Sequence, residues 1–220
     1  HNTPAKAAVE IALYDLRAQL FQTPLVTLLG GQPRPVVTDF TIGIAPLEEM
    51  VAAAQAKGAA GFTALKIKLG VGSLADDLER VQAIAAAVGP TVRLRLDANQ
   101  AWAPKAAIAA AARLDALRLA IDFIEQPVAA GDLAGLAAVT RASAIPIMAD
   151  ECVHSFADAQ AVVAAHAADY VNIKLMKTGG LSTAAKIDDL CAANGIGCML
   201  GCMIQTQDSP AAARQSGVKG

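Results

Sequence analysis

Three carboxylates and three lysines stand out among the 220 residues for where they fall. Asp97, Glu125 and Asp150 each follow a short strand-like segment, and Lys66, Lys68 and Lys174 each lie late in one. Three acids gathered at one place repel, and one must stay protonated unless a cation stands among them. Carboxylates with water form an all-oxygen ligand set, which suits Mg²⁺. A helix cap explains each acid separately but not the series. Lys66 and Lys68 are two residues apart, so on a strand both project to one face. Proximity to each other, to a metal and to partly dry surroundings brings a lysine towards the range of a useful base. With Lys174 coming from another strand, the set suits removal of a proton from one face of a carbon and its return from the other. Snorkelling lysines at strand ends are the plainer alternative.

The elements that must position these groups alternate along the chain. A leading helix over Ala5–Gln22 is expected, with Thr3 as N-cap and Pro4 in the first turn. Strands are expected over Val36–Ile44, Thr63–Leu69, Val92–Leu96, Ala120–Ile124, Ile145–Ala149, Asp169–Leu175 and Gly197–Ile204. Between them the pattern predicts helices over Pro46–Gly58, Leu74–Val88, Pro104–Leu117, Asp132–Ala142, Phe156–Ala165 and Thr183–Ala193. Repeated βα units with short loops call for parallel strands and right-handed crossovers. No glycine-rich dinucleotide fingerprint follows the first strand, so a closed barrel is favoured over a doubly wound sheet. In a barrel the polar strand ends converge on one mouth, where active sites sit.

Composition narrows the function classes. With 55% hydrophobic residues, 17% charged and a formal net charge of -2, the chain is not disordered. No Lys/Arg block offers an electrostatic footprint for nucleic acid. No apolar run nears the roughly 18 residues of a membrane span, so no membrane partner is expected. No signal peptide is visible in HNTPAKAAVEIALYDL, and the four cysteines lack metal-finger or CxxC spacing. Free thiols and a cytoplasmic location are the expectation.

The motifs Lys66-Ile67-Lys68, Asp97-Ala98-Asn99, Glu125-Gln126-Pro127, Ala149-Asp150-Glu151 and Asn172-Ile173-Lys174 resemble the enolase superfamily, muconate-lactonizing subgroup. Within it, LKIKLG, LRLDANQAW, IEQPV, PIMADE and NIKLMKTGG look most like the dipeptide epimerases of the L-Ala-D/L-Glu type. The resemblance runs from the leading helix to about Met203. It implies an α/β fold, an enolase-type (β/α)7β TIM-like barrel. It also implies a Mg²⁺ cofactor held by Asp97, Glu125 and Asp150, with Lys68 and Lys174 as the acid/base pair on opposite faces of the substrate. Lys66 would help hold the substrate carboxylate and lower the pKa of Lys68, and Thr41 matches a position that contacts substrate. The implied reaction is epimerisation of an Ala-Glu-like dipeptide through a metal-stabilised enolate, so the implied partner is a small molecule. A homo-oligomer is compatible with it.

The resemblance also implies an N-terminal capping domain and an eighth strand bearing an Asp-x-Asp motif. Neither is found in these residues, so the expectation is a truncated barrel with seven strands. The expected division is a leading helix and linker over 1–30, the catalytic barrel over 31–206 and an atypical tail over 207–220. Gln205 stands where the family usually has glutamate. The alternatives are N-acylamino acid racemase, o-succinylbenzoate synthase or muconate cycloisomerase chemistry on the same site, a Schiff-base lysine aldolase, or an inactive barrel fragment. Trp102 could wall the site or anchor a loop against a helix. His154 reads as a loop histidine, and Gly179-Gly180 either opens a helix N-terminus towards an anion or makes a plain βα turn.

Overall fold

The computed structural model describes residues 2–33 and 35–203. In chain order these form α1 (Thr3–Leu20), α2 (Leu25–Leu28), β1 (Phe40–Ile42), α3 (Leu47–Ala59), β2 (Ala64–Lys68), α4 (Leu74–Val88), β3 (Arg93–Asp97) and α5 (Pro104–Ala116). There follow β4 (Ile121–Glu125), α6 (Leu133–Ala142), β5 (Ile147–Ala149), α7 (Phe156–Ala164), β6 (Tyr170–Lys174), α8 (Leu175–Thr178), α9 (Leu181–Ala193) and β7 (Gly197–Gly201). The chain divides into two compact units. One gathers His1–Val36, Val153–Ala164 and Asp169–Gly220, and the other Val37–Cys152 with Ala165–Ala168.

In the second unit β1 to β5 lie side by side in sequence order, all parallel, each joined to the next through a helix. The period of two sorts their side chains. Leu65 and Ile67 of β2, Leu94 and Leu96 of β3 and Ile124 of β4 are fully buried, while Lys66 and Lys68 point to the other face. The registers pair Lys68 with Asp97 and Asp97 with Glu125, so the last residues of three neighbouring strands stand abreast. At the opposite end of β3 and β4 the register slips between Leu94 and Arg95, leaving Asp122 as an extra residue. That bulge aims Asp122 at Arg93 and Arg95, and Arg95 reaches on to Asp39 at 2.8 Å.

Helix α4 begins on a capping box. The Ser73 hydroxyl accepts from the Asp76 amide at 3.2 Å, and the Asp76 carboxylate accepts from the Ser73 amide at 2.7 Å. In the first unit β6 and β7 pair in parallel, and α1 packs against α8 and α9. The N-cap of α1 is Asn2, not Thr3: the Asn2 side chain accepts from the Ala5 amide, and Thr3 is already helical. The first strand is confined to Phe40–Ile42, shorter than Val36–Ile44, and the single-turn helices α2 and α8 were not expected. Gln205 and the 207–220 tail lie outside the described residues. Among the described residues no helix is long and apolar enough to cross a membrane.

Candidate active site

The parallel register delivers two ammonium groups to a row of buried acids. Lys66 Nζ lies 2.8 Å from both Asp97 Oδ2 and Glu125 Oε2, and Lys68 Nζ lies 2.8 Å from the same Asp97 oxygen. Lys66, Asp97, Glu125 and Asp150 are all buried, whereas the Lys68 side chain keeps 31% of its surface exposed. Burial works to lower the pKa of Lys66, but the charges of Glu125 and Asp97 against it prevail and hold it above the ordinary lysine value. Burial pushes the Glu125 carboxyl up to about 7. Lys66 opposes that rise, and the charges of Asp97 and Asp150 add to it.

Amide side chains brace this row. Buried Gln126 accepts through Oε1 from the Asp150 amide at 2.8 Å and the Cys152 amide at 3.3 Å, and donates through Nε2 to Val128 O at 3.0 Å. It thereby ties the end of β4 to the residue that follows β5. Asn99 Oδ1 accepts from Lys68 Nζ at 2.6 Å, its amide donates to Asp97 Oδ1 at 3.0 Å, and its Nδ2 donates to Glu151 Oε1 at 3.0 Å. Asn99, Gln100 and Gln126 all have positive φ, so the chain turns sharply just after Asp97 and Glu125. Left-handed non-glycine residues gathered at one spot mark a place where backbone strain is tolerated for position.

The donor set fits a hard divalent cation. Asp97, Glu125 and Asp150 are three buried carboxyl groups at neighbouring strand ends, and carboxylate oxygens are the ligands Mg²⁺ takes. Among the described residues no three acidic, histidine or cysteine groups are already arranged to hold a metal. The positive charge seated between Asp97 and Glu125 is the Lys66 ammonium.

Residues 49–217 match the family profile described as Enolase C-terminal domain-like, and residues 1–30 match the Mandelate racemase / muconate lactonizing enzyme, N-terminal domain. The chain belongs to the enolase superfamily. It is 48% identical over 206 residues to the L-Ala-D/L-Glu epimerase of Bacillus subtilis (strain 168), covering 94% of this chain and 56% of that protein. The solved dipeptide epimerase of Enterococcus faecalis V583, complexed with Mg and the dipeptide L-Leu-L-Tyr, matches with a TM-score of 0.95 at 44% identity. That match covers 100% of this chain and 62% of the other. Muconate lactonizing enzyme from Pseudomonas fluorescens, complexed with muconolactone, matches with a TM-score of 0.93 at 31% identity, covering 100% and 59%. These likenesses show the enolase-type (β/α) barrel fold class that the motifs implied.

In this enolase-superfamily chain the structure brings together Lys66, Lys68, Asp97 and Glu125 by direct contact, and holds the Asp150 backbone amide on Gln126, the residue after Glu125. Thr41 pairs in register with Lys66 and is exposed. Lys174 closes β6 in the other unit. The leading helix falls within the match to the N-terminal domain profile. Trp102 is buried, and its backbone amide donates to Pro127 O at 3.0 Å. His154 is an exposed loop residue whose amide donates to Asp158. Gln126, Asn99 and Glu151 have no role among the expectations drawn from the motifs. The signal was there, since each is a polar residue within two positions of an expected metal ligand.

Proposed function

We propose that this chain carries the catalytic groups of a dipeptide epimerase that inverts the α-carbon of an Ala-Glu-like substrate. The observation that carries the reading is the pair Lys66 and Lys68, both set on Asp97 at the ends of adjacent parallel strands. The similarity to epimerases named for dipeptides supports the substrate class. Asp97, Glu125 and Asp150 would hold Mg²⁺, which when bound acts as a Lewis acid on the substrate carboxylate and offsets the charge that develops as the α-proton leaves. Lys68 Nζ takes or gives that proton on one face, steadied by Asp97 and Asn99. Lys174 is assigned the other face on its motif. Lys66 contributes a fixed positive charge beside the site and orients the substrate carboxylate, and Thr41 contacts substrate beside it.

The test is proton NMR of L-Ala-L-Glu in D₂O with this chain and Mg²⁺. The Glu α-proton signal should fade, and Lys68→Ala or Lys174→Ala should each abolish inversion. A folded chain that leaves the signal intact would overturn the reading. An N-acylamino acid and a muconolactone run in parallel separate dipeptide chemistry from the other reactions considered for the same site.

A further inference from the structure

Gly179 and Gly180 form the turn between α8, which begins directly after Lys174, and α9. Both have positive φ, and both Gly179 N and Gly180 N donate to Leu175 O, at 2.9 and 3.1 Å. What lies over this turn is helix α1. The Lys6 stem covers Gly179, and a Cβ on Gly180 would run into the Glu10 carboxylate. Glu10 Oε2 accepts from the Ser182 amide at 3.4 Å, at the first turn of α9, whose N-cap Gly180 offers no side chain. One turn further along α1, the Tyr14 hydroxyl meets the Ser182 hydroxyl at 3.1 Å. The anion at this helix N-terminus is therefore a carboxylate from the chain itself, about 170 residues away in sequence. On the near side of the turn Thr178 Oγ1 donates to Lys174 O at 3.3 Å and Lys177 Nζ to Asn172 O at 3.4 Å. The segment from Asn172 to Ser182 is thus tied at its start to its own strand end and at its finish to α1.

We propose that Glu10 is a positioning residue for Lys174: its carboxylate, with Tyr14 beside it, clamps the turn that follows the lysine and so fixes where the lysine can reach. The proposal rests on the acid/base role given to Lys174 above. Glu10 and Tyr14 touch Gly180 and Ser182, so they act on the segment that follows Lys174 and not on the lysine side chain itself.

Two measurements on Glu10→Ala and Glu10→Gln test it. Amide hydrogen exchange reads the clamp without reference to catalysis. Residues 179–182 should exchange about tenfold faster in Glu10→Ala and less so in Glu10→Gln, with β3 unchanged. Unchanged exchange at 179–182 in a folded Glu10→Ala overturns the proposal. The second measurement is α-proton exchange of each dipeptide epimer in D₂O, the two faces being assigned by Lys68→Ala and Lys174→Ala. Glu10→Ala should slow exchange on the Lys174 face by about tenfold and leave the Lys68 face within about twofold. An equal loss on both faces means general weakening and also overturns it. If the unsubstituted chain exchanges neither epimer, the acid/base reading is what fails, and amide exchange alone decides the clamp.

Discussion

Replacing Lys66 by methionine keeps the packing of a long side chain but leaves Asp97 and Glu125 buried with their shared counter-charge gone. Removing one partner of a buried ion pair costs about 3–5 kcal/mol, and urea unfolding in EDTA should show a loss of that order. A change well under about 1 kcal/mol would mean that Lys68 on Asp97 and a proton on Glu125 make up the loss. Gln126→Ala makes a second prediction. It orphans the buried Asp150 amide and weakens the hold on Cys152, so a loss of about 2–3 kcal/mol is expected in the same assay. These residues differ in how readable they are. Asp97 and Glu125 announce themselves because each ends a strand-like segment with a charge that burial makes costly. Gln126 serves an amide 24 residues away, and nothing local to it says that its partner will be there.

Helix boundaries followed from local chemistry where the partners are local. Leu74–Val88 has the expected bounds, and at its start Ser73 and Asp76 close a capping box within four residues. Ser73→Ala should therefore cost about 1 kcal/mol, read as a shift in the urea midpoint. Hydrogen bonds from the Ser73 backbone and side chain hold Asp76 below its usual carboxyl pKa. Its contribution to the cap is present above the ordinary value of 3.8 and is lost as pH falls through the depressed one. The gap between Ser73→Ala and the parent should narrow in acid. Elements went astray where the partner is distant or absent. Asn2 and Thr3 are both capping types, Asn the stronger, and it is the Asn2 side chain that takes the Ala5 amide. The alternating pattern of Val36–Ile44 reads as a long strand, yet only Phe40–Ile42 meets β2 in the ladder. Gly179-Gly180 was open between anion site and plain turn because Glu10 lies far away in sequence.

For the chain as a whole, the proton held by Glu125 sets a pH dependence. A carboxyl raised from 4.5 to about 7 stabilises the fold fully below its unfolded value, and that contribution is lost as pH rises through about 7. In EDTA, Tm should fall between about pH 5 and 8, and Glu125→Gln should flatten the slope. Divalent cation binding favours the ionised acid, so the rise in Tm on adding Mg²⁺ should be larger near pH 8 than near pH 5.5. An equal rise at both ends would separate the ion from Glu125.

The alternation along β2, β3 and β4 has a consequence for descent. Ile67, Leu96 and Ile124 face one way and belong to the core, while Lys68, Asp97 and Glu125 stand at the strand tips and face the other. A substitution at a tip changes which bond can be broken without renegotiating how strands meet helices. Inheritance can therefore keep the scaffold and vary the reaction, and a dipeptide epimerase and a muconate lactonizing enzyme share its fold.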